Sequence, residues 1–114
     1  MTLSDALRTY SGAPVATLML FSAAFTQTFS LPAFKRHENY MTVRTKMLKA
    51  GWKPYHAPDA DECNGDDRCV NRPEMKTCSG TGKAYCTFIW KRGGKIATIQ
   101  TVGENAELDR SWVR

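Results

Sequence analysis

The sequence predicts a small α+β fold, in which one amphipathic helix packs on a three- or four-stranded antiparallel sheet and a disulfide-stapled loop joins them. Three observations predict it. Residues 40–50 place apolar side chains at helical spacing, residues 84–91 and 95–102 alternate in polarity around Gly93-Gly94, and all four cysteines fall within the irregular stretch from Cys63 to Cys86. A period near 3.6 marks a helix and a period of 2 marks half-buried strands. A chain of 114 residues is one domain. The order helix, strand, cysteine loop, strand, strand suits a helix laid across a twisted sheet.

Residues 1–24 read as a cleaved export signal. Val15 to Phe21 is a short apolar run, and the Ser22-Ala23-Ala24 that follows offers small residues to a signal peptidase. The apolar stretch is well short of the roughly 20 residues that span a bilayer. Residues 25–33 are polar and then interrupted by Pro32, so a flexible start is expected before a domain over 34–114. Sixteen Lys and Arg against eleven Asp and Glu give a net charge of +5. Asp5 and Arg8 cancel, so the whole excess lies beyond Ala24. A basic surface of this size favours anionic partners without choosing among them.

The helix is expected from Ala33 or Asn39 to Ala50, with Gly51 as a left-handed C-cap and Lys46 and Lys49 at the negative end of its dipole. Steps of 100° put Tyr40, Met41, Val43, Met47, Leu48 and Ala50 on one broad apolar face. Arg44 falls in the middle of that face. A guanidinium in such a place either snorkels to water or takes an acidic partner, and Glu74 and Glu104 are the candidates for a structural ion pair. Trp52 to Tyr55, with Pro54 unable to donate to a ladder, reads as a short edge strand. Met75 to Thr77 reads as another very short one.

The hairpin is the clearest element. With Gly93-Gly94 as the turn, Trp90 pairs with Ala97, Phe88 with Ile99 and Cys86 with Thr101, all on one face. That face is large and apolar and should meet the helix. The segment from Gly103 to Arg114 reads as a polar tail with Leu108, Trp112 and Val113 as docking contacts.

Cys63, Cys69, Cys78 and Cys86 are spaced C-x5-C-x8-C-x7-C. Structural zinc sites bring ligands in close pairs and redox sites use C-x-x-C, and neither spacing occurs here. Two disulfides are therefore expected, with no metal and no cofactor. Sequential pairing closes two short loops around Asn64-Gly65 and Gly80-Thr81-Gly82. Cys63–Cys86 with Cys69–Cys78 would instead tie the loop to the hairpin. The acidic run Asp59, Asp61, Glu62, Asp66 and Asp67 breaks the calcium-loop pattern, since Cys63 stands at the third ligand position.

No catalytic motif stands out, and an enzyme is not expected. His37 and His56 would have to serve as acid and base if the chain were a small basic hydrolase acting on RNA, but their spacing does not bring them together. The aromatics Trp52, Tyr55, Tyr85, Phe88 and Trp90, with Lys53, Lys83, Lys91 and Arg92 nearby, are the residue types of a nucleic-acid or glycan platform. Phe88 and Trp90 share the inner face of the hairpin, so a core explains them better. The loop residues Asp66, Asp67, Arg68, Arg72 and Glu74 are the expected contact surface for a protein or envelope partner, because long ordered loops on a rigid scaffold commonly carry function.

The combination of Tyr40, Val43-Arg44, Leu48, Gly51-Trp52-x-Pro54, Cys63, Arg68-Cys69, Arg72-Pro73-Glu74, Cys78-x-Gly80-Thr81-Gly82, Cys86 and Phe88-x-Trp90 resembles small exported bacterial proteins of unassigned function, over Tyr40 to Glu104. The resemblance implies a periplasmic or secreted protein. It brings no activity, ligand or catalytic residue with it.

Overall fold

A computed structural model describes residues 30–114. The expected signal segment and the first residues after it lie outside the described residues.

Helix α1 spans Tyr40–Lys49. Asn39 caps its start, with extended backbone and a side chain that accepts from the Met41 amide at 2.8 Å. Its end is a Schellman turn. The Gly51 amide donates to the Leu48 carbonyl and the Trp52 amide to the Met47 carbonyl, with Gly51 at φ 88°. That turn drops Trp52, 1% exposed, straight into the core.

Five strands follow: β1 Lys53–Pro54, β2 Met75–Cys78, β3 Cys86–Arg92, β4 Lys95–Val102 and β5 Glu107–Val113. All pair antiparallel. The lateral order is β1-β3-β4-β5, with β2 also on β3. Strands β1 and β2 share one side of β3 end to end, and the handover falls at Ile89. Its carbonyl accepts from Tyr55 of the β1 side, and its amide donates to the Glu74 carbonyl just before β2. The sheet is thus four positions wide but built from five strands, more than the three or four expected. The additional one is β5, where a polar tail was expected. Its Arg114 and Ile96 exchange both backbone hydrogen bonds at 2.9 Å, which continues the ladder with β4 to the end of the segment.

The β3–β4 register has Trp90 opposite Ala97, Phe88 opposite Ile99 and Cys86 opposite Thr101, as the Gly93-Gly94 turn requires. These side chains are fully buried beneath α1. Ala97 leaves room for the Trp90 indole across the strand pair. The Tyr40 ring stacks on Phe88 with centroids 3.8 Å apart.

Only Tyr40, Val43 and Met47 of the helix reach the core. Met41 and Leu48, expected on the buried face, are 60% and 46% exposed. The helix meets the sheet along a stripe one residue wide per turn, and the angular spread of the apolar positions exceeds that contact. The start of α1 is fixed to β5 by backbone: Tyr40 donates to Ala106, and Leu108 donates to Glu38. Leu31 and Phe34, at the edge of the segment expected to be flexible, are half-buried against the core.

Candidate functional site

The cysteines form two disulfides in sequential order, Cys63–Cys69 and Cys78–Cys86. The first closes the turn at Asn64-Gly65, and the second fastens β2 to β3 at the register pair Cys78 and Cys86. The loop between Tyr55 and Met75 has almost no regular ladder, so side chains must satisfy its polar groups.

Arg68 does much of this. Its Nε and Nη2 grip the Asp66 carboxylate, with Nη2 2.5 Å from Oδ2. Its Nη1 donates to the carbonyls of Ser79 and Ala84 at 3.0 and 3.1 Å. One guanidinium therefore joins the first disulfide loop to the second. The Arg68 side chain and its backbone amide together hold the Asp66 carboxyl below the usual carboxylate range.

A second network lies under the helix. Glu74 is fully buried. Arg44 Nε donates to its Oε2 at 2.5 Å and Arg44 Nη2 to its Oε1 at 3.2 Å. The Tyr40 hydroxyl donates to Oε2 at 2.9 Å and in turn accepts from Trp90 Nε1 at 3.3 Å. Arg44, in the middle of the apolar stripe, thus reaches the acid just before β2. Glu104, the other candidate, makes no hydrogen bond or ion pair with Arg44 and lines the clefts beside Asp67 and Arg68.

The five residues expected to form a contact surface therefore take different places. Glu74 is sealed inside and can touch no partner. Asp66 and Arg68 are spent on each other, while Asp67 is exposed. These three, with Thr81, Lys83 and Glu104, line an open polar cleft of about 750 Å³. Arg72 lines a neighbouring cleft with Asp67, Arg68 and Met41. Its guanidinium stands 5.5 Å over the Tyr40 ring, contacts the Met41 sulfur and reaches the Val70 carbonyl at 3.5 Å. Val70 is 43% exposed. Met41, Arg72 and Val70 thus form one continuous surface where helix meets loop, with Leu48 two turns further along α1. Sequence spacing hid this surface, because Met41 and Leu48 read as core.

His56 Nδ1 lies 3.1 Å from the Pro73 carbonyl, beside β1 and β2. His37 precedes the segment that pairs with β5, on the opposite edge of the sheet. Three strand spacings, about 14 Å, separate those edges. The structure does not bring the two histidines together. Trp52, Phe88 and Trp90 belong to the core, and Tyr85 is exposed. Among the described residues, no group of three His, Cys, Asp or Glu side chains is placed to hold a metal ion, and no helix is long and apolar enough to cross a membrane.

Comparison with protein-family models gives no match, and comparisons with curated proteins and with solved structures give none either.

Proposed function

We propose that this chain is a non-enzymatic binding module of an oxidising, extracytoplasmic compartment, and that it presents the junction of helix and cysteine loop to a protein of the cell envelope. The observation that carries the reading is the contrast within that junction. Everything beneath it is clamped by two disulfides, the Arg68 bridge and the buried Arg44–Glu74 pair. Its outer surface nevertheless exposes Met41 and Val70 around Arg72, with Leu48 two turns further along the helix. A rigid scaffold that displays apolar and guanidinium groups together has the composition of the central part of a protein interface. Disulfides persist where thiols are not kept reduced, which supports the compartment. The apolar run before Ala24 supports export.

The test is site-specific photo-crosslinking in the envelope of the source cell, with the reactive residue at Asn71. A discrete protein adduct is expected, and Met41→Asp should abolish it while the circular dichroism of the purified variant stays unchanged. An adduct that survives Met41→Asp, or none from this surface, would overturn the assignment.

A further inference from the structure

The face of the sheet turned away from α1 has an order of its own. Following the register across the strands gives three rows. The first runs Lys53, Lys91, Ile96. The second runs Tyr55, Ile89, Thr98, Trp112, since Tyr55 bonds to Ile89, Ile89 faces Thr98 and Thr98 faces Trp112. The third runs Thr77, Thr87, Gln100, Arg110. Ile89 and Thr98 are buried and form a floor, with an aromatic ring at each end of their row.

Two features of this face are unfavourable for the protein alone. Lys53 stands directly opposite Lys91, a like-charge cross-strand pair, and neither has an acidic partner among the described residues. Trp112 leaves over a third of its surface in water. The two rings carry cations of their own. Lys91 Nζ lies 4.0 Å from the Tyr55 ring centroid, and the Arg110 guanidinium lies 5.0 Å from that of Trp112. The acids of this face, Asp61, Asp109 and Glu107, sit at the far end, where Thr77 and Gln100 donate to the first two. The lysine pair and the acids thus lie on opposite sides of the aromatic row, with Arg110 on the acids' side against the Trp112 ring.

We propose that this face binds an acidic polysaccharide, one whose sulfate or carboxylate groups meet Lys53, Lys91 and Arg110 while sugar rings lie against Tyr55 and Trp112. The rings are about 14 Å apart, three strand spacings, so the chain crosses the strands and spans several sugars. Single-stranded nucleic acid shares the chemistry of rings and anions. The disulfides favour the glycan, because they place the protein where acidic glycans are the abundant polymers. The choice of polymer therefore rests on the compartment proposed above, whereas the location of the site does not.

The experiment follows tryptophan fluorescence of the oxidised full chain titrated with a heparin-derived hexasaccharide, a galacturonate hexamer, neutral cellohexaose and an oligothymidylate. Saturable binding is expected for the acidic sugars, weakening steeply with salt, and at least about tenfold weaker for cellohexaose. The galacturonate arm shows whether carboxylate alone suffices. Lys53→Gln with Lys91→Gln should weaken binding about tenfold, as should Trp112→Ala, whose loss is read by calorimetry because it removes the reporter. Met41→Asp, on the opposite side of the sheet, should leave it unchanged, so failure of the protein-partner surface and failure of this site are separable. Absence of binding, or binding untouched by these sheet variants, overturns the site. Tighter binding of oligothymidylate through the same residues overturns the glycan.

Discussion

Arg44 and Glu74 form a two-point ion pair across the joint between helix and loop, with the carboxylate at 0% exposure and the guanidinium side chain at 25%. The pair is lopsided. Water reaches the arginine but not the acid, so each partner has a different cost of removal. Arg44→Ala leaves a buried carboxylate with only the Tyr40 hydroxyl, and a loss of about 3 kcal/mol is expected in urea unfolding. The double variant Arg44→Met with Glu74→Met should lose less than the sum of the two single ones, because it removes both charges and keeps the volume. Strict additivity would mean that the two residues act independently.

Tyr40 makes the same network sensitive to alkali. Burial first, and then the neighbouring Glu74 charge, push its hydroxyl well above the ordinary phenol range. A folded-state value above the unfolded one favours folding fully below about pH 10, the ordinary phenol value, and that contribution is lost as pH rises from there through the folded value. Unfolding at constant urea should therefore show an alkaline limb beginning near pH 10. Tyr40→Phe should lower stability at neutral pH by about 1–3 kcal/mol, since Glu74 and Trp90 both lose a partner, yet flatten that limb. An unchanged limb in Tyr40→Phe would assign it to other groups.

At acid pH the sign reverses. The Lys46 ammonium and the Lys35 amide hold Glu38 below the usual carboxylate range, as Arg68 holds Asp66. Groups with depressed values stabilise above the unfolded values, near 4, and lose that contribution as pH falls through the folded ones. Thermal midpoints should therefore drop below about pH 4. Glu38→Gln should make the acid side shallower, and an unchanged acid side in that variant would assign the drop to other carboxylates.

Much of this architecture was legible because a few residues constrain it strongly. Gly93-Gly94 and the alternation around it allow one register for β3 and β4. A guanidinium in an apolar stripe either reaches water or takes an acid, and Glu74 was one of two acids beside structured elements; the structure selects it. Strand β5 was not legible. Glu107, Asp109 and Arg110 stand among its seven residues and only Leu108 is buried, so its extended form comes from pairing with β4 rather than from its own pattern. The proposed contact surface was hidden for a related reason. Helical angles place Met41 and Leu48 beside the core residues, but the width of the contact is set by the sheet. Arg68 binds two backbone carbonyls, which every residue possesses, so nothing in the side-chain pattern marks Ser79 and Ala84 as its partners.

The two disulfides should differ in what they protect. Both loops are short, and loop closure alone assigns about 2.5 kcal/mol to each. Each bond joins a cysteine buried in the core, Cys69 or Cys86, to a half-buried one, Cys63 or Cys78. Replacing Cys78 and Cys86 by alanine also frees β2 from β3, so the loss should exceed that loop-closure figure. Replacing Cys63 and Cys69 by alanine should stay nearer it, because the Arg68 bridge still ties the first loop to the second. Combining that replacement with Arg68→Met removes both restraints. Hydrogen exchange should then rise at the amides of Cys69, Val70 and Arg72, which close the turns of this loop, while those of β3 and β4 keep their protection. Uniform loss of protection across the sheet would show that the loop and the core unfold as one unit, and that the clamps hold the whole domain rather than the loop alone.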